Sequence, residues 1–175
     1  MSTGADAMAA GNTRRVVIGV GNPDRGDDGA GPAVARLLRD TLLGAVDVVE
    51  DGGEMTGLVE RLTDATEVVL VDAAVSGAPS GTVRRFDAVA APLPQGCVGV
   101  SSHGFGLAAA IELARTLGRL PPRCIVYAIE GTCFAPGAPL SPPVAAAVND
   151  VAARVRTEIA AGGVVEGMGP CTKPR

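Results

Sequence analysis

Three places in this chain carry reactive groups in settings that chemistry uses. The first is the stretch from Val16 to Val34, VVIGVGNPDRGDDGAGPAV, where an apolar run breaks at Gly19 and Gly21, passes Asp24, Asp27 and Asp28, and resumes as an apolar helix. The second is Asp72, directly after the aliphatic run EVVLV. The third is His103, the only histidine, set between Ser102 and Gly104 ahead of an Ala/Leu-rich segment. Hard cations want the oxygens that the acidic loop offers. A helix start disfavours the imidazolium and so keeps the ring of His103 neutral and able to coordinate. One imidazole and two carboxylates from three separate loops make an open site with free coordination positions, too few strong ligands for a permanent structural zinc.

Other chemistries lack parts. Gly19-Val20-Gly21 begins like a dinucleotide fingerprint, but Asp24 stands where its third glycine would fall, and carboxylates at a helix start repel a pyrophosphate. Glu50 or Asp51, after the second apolar run, is the acid that a ribose would need, which keeps a nucleotide-binding oxidoreductase as a rival. There is no HExxH, a single histidine cannot make a two-His zinc site, and no GxSxG elbow is present. Ser101 and Ser102 abut His103, whereas a nucleophile and its base usually come from different segments. Cys133 with His103 is the thiol pairing to test.

The elements that must position these groups follow from composition and periodicity. The chain has 175 residues, about one domain, with 47% hydrophobic residues, a net charge of −4 and only 2% aromatics. Its mean hydropathy is +0.30. An aliphatic core with so few aromatics suits a parallel sheet covered on both faces. No basic stripe is visible, which argues against nucleic acid. Cys97, Cys124, Cys133 and Cys171 show no CxxC spacing and read as reduced thiols. Residues 1–13 lack the pattern of a signal peptide, and no apolar run approaches the ~18 residues of a membrane span. The expectation is a soluble, cytoplasmic protein that does not engage membranes.

Strands are expected at 16–18, 46–50, 67–71, 82–86 and 124–129, and helices at 33–43, 55–62, 105–117 and 142–159, with Ser141 capping the last and Pro142 opening it. Strands alternating with helices predict an α/β three-layer sandwich: a twisted, mostly parallel sheet of about five strands with helices on both faces. Residues 14–162 form one domain in this reading, with flexible tails at 1–13 and 163–175.

Taken together, GVGNPDRGDDGAG, the EDGG of Glu50 to Gly53, the VDA of Val71 to Ala73, SSHGFGL from Ser101 to Leu107, and the late IEG and LSPPV resemble the hydrogenase maturation endopeptidases. These blocks lie in order between about residue 15 and residue 160. The resemblance implies a protease that cuts a C-terminal extension from the large-subunit precursor of a NiFe hydrogenase once nickel is inserted. It implies that Asp28, Asp72 and His103 bind the metal and serve catalysis, with Asp51 as a further catalytic candidate. At the position of Asp28 some members carry Glu and many Asp. Nickel accepts imidazole and oxygen, so an ion held by the precursor's cysteines would be shared across the interface, with no permanent metal of the protease's own. The precursor is the expected partner and a monomer the expected state; a non-catalytic assembly factor would share every motif. After IEG the chain reads TCFAPGAP where many relatives have an early Pro, a departure on the wall expected to dock the precursor.

Overall fold

The five aliphatic runs become strands of one sheet in the computed structural model, which describes residues 14–42, 44–94 and 106–162. They are β1 (Arg15–Val20), β2 (Asp47–Asp51), β3 (Glu67–Ala74), β4 (Val83–Asp87) and β5 (Arg123–Glu130). Their order is β2-β1-β3-β5-β4, with β4 antiparallel to β5 and the other pairs parallel. Every residue of β3 is buried, as the central strand of a sheet covered on both sides must be.

The helices are α1 (Ala30–Arg39), α2 (Met55–Thr63), α3 (Leu107–Thr116) and α4 (Pro142–Gly162). Alternate strand residues face opposite ways. Ile18, Leu70 and Val126 pack with Leu58 and Leu62 of α2 and Ile111 of α3. Val17, Val69 and Ile125 pack with Val34 and Leu38 of α1 and Val148, Val151 and Val155 of α4. Each such side chain contributes about 1.5–3 kcal/mol by leaving water. The expected three-layer α/β sandwich is the fold.

The order of the strands sets where ligands can sit. From β1 the chain crosses one face through α1 to β2, then returns over the other face through α2 to β3, on the far side of β1. The reversal lies beyond the carboxyl ends of β1 and β3, the crevice that open α/β sheets use for binding. Two glycines bring α1 against the sheet there. A Cβ on Gly31 would stand 2.3 Å from the carbonyl oxygen of Val20 and 2.4 Å from that of Val71, and one on Gly19 would stand 2.2 Å from the carbonyl oxygen of Gly31.

Three details differ from expectation. α1 starts at Ala30 instead of residue 33 and ends at Arg39; Pro32 is accommodated because first-turn amides need no helical partner. β3 runs two residues past Asp72, which therefore lies inside the strand, opposite Ala128 of β5. The hydroxyl of Ser141 donates to Asp27 rather than capping α4, while its carbonyl accepts from Ala145. The elements run from Arg15 to Gly162; the expected tails, 1–13 and 163–175, lie outside the described residues. No helix among the described residues is long and apolar enough to cross a membrane.

Candidate functional site

A cavity of about 330 Å³ opens beyond the carboxyl ends of β1, β2 and β3, and Asp28, Asp51 and Asp72 all line it. Asp72 is 4% exposed, and its Oδ1 accepts a bond from the Ala73 amide at 2.8 Å. Burial pushes its carboxyl up to about 8, and the neighbouring charge of Asp28 adds to that against the Ala73 amide. Asp28 is 6% exposed. Its Oδ2 accepts from the Asn22 amide at 3.0 Å. Burial raises its carboxyl as well, opposed by the Asn22 amide and the charge of Arg25. Burial is the main reason both carboxyls are raised, and the charge of Asp28 adds to it at Asp72. Asp28, with an amide and a guanidinium on its side, ionises first.

The loop reaches this geometry through a residue without a side chain. Gly21 has φ +129, and a Cβ there would stand 2.0 Å from the carbonyl oxygen of Asp28. Only glycine lets the chain double back so closely after β1.

Asp51 closes the cavity from β2. Its Oδ1 accepts from the Gly53 amide and its Oδ2 from Arg61 Nε, both at 2.9 Å. Glu50, also on the wall, pairs with Arg36 at 2.7 Å and Arg39 at 2.9 Å on α1. Glu50 and Asp51, either of which a ribose could have met, both pair with arginines, and Asp28 lines the cavity beside them. His103 and its neighbours Ser101 and Ser102 lie outside the described residues, as do Cys97 and Cys171. The helix that follows His103, α3, packs on the sheet face toward which Val68 and Leu70 point, the face that Asp72 shares by strand alternation. Cys124 and Cys133 are free thiols; Cys124 is buried in β5, which pushes its thiol up to about 12.

A family model described as hydrogenase maturation protease, HycI, matches residues 32–158. The chain belongs to the hydrogenase maturation protease family. A curated relative, the hydrogenase expression/formation protein HupD of Thiocapsa roseopersicina, is 30% identical over 117 residues, covering 66% of this chain. The match spans about half of that relative's length, 53%. The hydrogenase maturating endopeptidase HybD from E. coli has the same fold, with a TM-score of 0.71 at 21% identity over 86% of this chain and 94% of that one. The NiFe hydrogenase maturation protease HycI from Thermococcus kodakarensis KOD1 has a TM-score of 0.63 at 25% identity, again over 86% and 94%.

In this member of the hydrogenase maturation protease family, two buried acids, Asp27 of the acidic loop and Glu130, hold the loops around the cavity. Asp27 points away from it. Its Oδ2 accepts from the amides of Thr132 at 2.8 Å and Cys133 at 3.0 Å and from the Ser141 hydroxyl at 3.0 Å; its Oδ1 accepts from the Ser141 amide at 2.7 Å. Burial raises its carboxyl, but these donors together bring it below the ordinary carboxylate value. Glu130 does the same for the exit of β3, accepting from the amides of Ser76 at 2.6 Å, Gly77 at 2.8 Å and Ala78 at 3.2 Å and from the Ser76 hydroxyl at 2.8 Å. Between them, the Gly131 amide donates to the Ala74 carbonyl at 2.9 Å. The IEG block is therefore the hub from which the surrounding loops hang. Of the three loop acids, Asp24 stays exposed and offers its carbonyl to the Gly137 amide.

Proposed function

We propose that this chain is an endopeptidase that removes the C-terminal extension of a NiFe hydrogenase large-subunit precursor after nickel insertion, with Asp28, Asp72 and His103 recognising the metal. One observation carries the reading: in a chain of this family, Asp28 and Asp72 face one cavity at the reversal point of the sheet, and their carboxyls are both raised. A pair of acids in that state gains from a cation, which offsets their repulsion and displaces a proton. The nickel travels with the precursor and is part of the substrate; its chemistry is that of a Lewis acid near the peptide.

The chain's own residues bind, orient and move protons. Asp28, the first of the pair to ionise, is the proton acceptor for an attacking water. Asp72 holds a proton at neutral pH until the cation arrives, which ties a competent site to a metallated partner. His103 supplies the third ligand. The enzyme acts as a monomer in the cytoplasm on a folded partner. The charge of −4 and the lack of a basic stripe support a protein substrate over nucleic acid.

The test measures precursor length by mass spectrometry after incubation with this chain, using nickel-loaded and nickel-free precursor. The expected result is shortening of the loaded form only, lost in His103→Ala with the fold intact. A precursor that binds yet keeps its full length overturns the protease and leaves a non-catalytic assembly factor.

A further inference from the structure

Asp51 is held from every side except the cavity. Its carbonyl accepts from the Gly21 amide at 3.0 Å, across the junction with β1. Its Oδ1 takes the Gly53 amide and its Oδ2 takes Arg61 Nε, each at 2.9 Å. A carboxylate oxygen can accept about two bonds, so each oxygen keeps capacity for a group in the cavity. The side chain is 8% exposed, that of Arg61 37%.

Arg61 reaches Asp51 from behind. It sits on the last turn of α2, and helical side chains lean toward the helix N-terminus, here past Gly57. A Cβ on Gly57 would lie 3.9 Å from Asp51 Oδ2, an ordinary contact, so Gly57 stands beside the pair. Arg61 borders a second opening of about 250 Å³ with Arg14, Glu60 and Asp64, separate from the wall that Asp28 and Asp72 form. An arginine on that side can steer Asp51 without touching what the cavity holds.

We infer that Arg61 is a positioning residue of the processing reaction, fixing the direction in which Asp51 presents its carboxylate to the precursor. The inference rests on the proposed protease function with Asp51 in the reaction. A planar guanidinium bonded through Nε sets the plane of its partner, which an ammonium does only in part. Without Arg61 the Gly53 amide still holds Oδ1 but Oδ2 and the plane of the carboxylate are left unfixed, a misplacement that costs turnover more than binding.

The experiment measures kcat and KM for cleavage of nickel-loaded precursor by the wild type, Arg61→Met, Arg61→Lys, Asp51→Asn and the Asp51→Asn/Arg61→Met double variant. The expected result is a loss of about 10- to 100-fold in kcat for Arg61→Met with KM nearly unchanged, and partial recovery in Arg61→Lys. The double variant is expected to be no slower than Asp51→Asn alone, because Arg61 has nothing left to position. Should Arg61→Met melt early, guanidinium added to Arg61→Ala supplies the missing group through the second opening and is expected to restore kcat there, with no effect on Asp51→Asn. Full turnover by Arg61→Met beside an impaired Asp51→Asn overturns the inference, as do losses that multiply in the double variant. An Asp51→Asn chain that cleaves at the wild-type rate overturns it while leaving the protease standing. A wild-type chain that never cleaves overturns the protease itself.

Discussion

Asp27 and Asp28 are neighbours in sequence whose carboxylates serve opposite sides of one loop. They sit on a 3-10 turn, Gly26–Gly29, where successive residues diverge by a third of a turn. Asp28 faces the cavity, while Asp27 grips the loop between β5 and α4 through Thr132, Cys133 and Ser141. The first lines the cavity and the second ties down a neighbouring loop.

Asp27→Ala is expected to destabilise the protein by ~3 kcal/mol, because it strands three amides and a hydroxyl that Asp27 satisfies. Urea denaturation at neutral pH checks this. The carboxyl of Asp27 is lowered in the fold, so its contribution is complete above the unfolded value and disappears as pH falls through the lowered one. The difference between wild type and Asp27→Asn should therefore shrink under strong acid.

Asp72 gives the opposite sign. Its folded value of about 8 lies above the ordinary 3.8, so between these values the native state holds a proton that the unfolded chain has released. Stability falls as pH rises through that window and levels off beyond it. Asp72→Asn, which mimics the neutral acid, should gain on the wild type as pH rises, the gap widening by more than ~1 kcal/mol between pH 5 and pH 9. Denaturation midpoints at the two pH values measure the gap; a constant gap would show that Asp72 is charged throughout.

For the reaction, Asp28→Asn and Asp72→Asn should each slow precursor cleavage by at least ~100-fold while the chain still folds. Circular dichroism with timed mass spectrometry separates the two effects. Cleavage at an undiminished rate by either variant would remove that acid from the site.

Gly31→Ala tests the contact between α1 and the sheet. With two carbonyl oxygens within 2.4 Å of the added Cβ, the helix must shift, at a cost of ~3 kcal/mol or more. Thermal unfolding should show the loss, and Gly52→Ala should not share it, since nothing lies within 4 Å there and its backbone is not left-handed.

Much of this was legible in the residues. The aliphatic runs and helical spacings located every described strand and helix to within a few residues, because buried parallel strands leave an unbroken apolar signature. Asp28, Asp51 and Asp72 stand out in the sequence by type and setting, and the fold brings them to one cavity. What sequence could not divide was the Asp27-Asp28 pair, since chemically identical neighbours differ only by the direction a turn gives them. The role of Glu130 was hidden for a related reason: its partners at Ser76, Gly77 and Ala78 are mostly backbone amides, and amides carry no residue signature. Arg61 carries no signal in the sequence that sets it apart from the chain's other arginines. Its meaning lies in the ion pair with Asp51, which becomes visible only in three dimensions.

The loop carrying Asp28 and the strand exit beyond Asp72 are tied to consecutive residues, the first through Asp27 to Thr132 and Cys133, the second through Ala74 and Ser76 to Gly131 and Glu130. The jaws of the cleft are thereby geared together. The two rims share one anchoring segment, so the width of the opening is inherited from the scaffold rather than set by either loop alone.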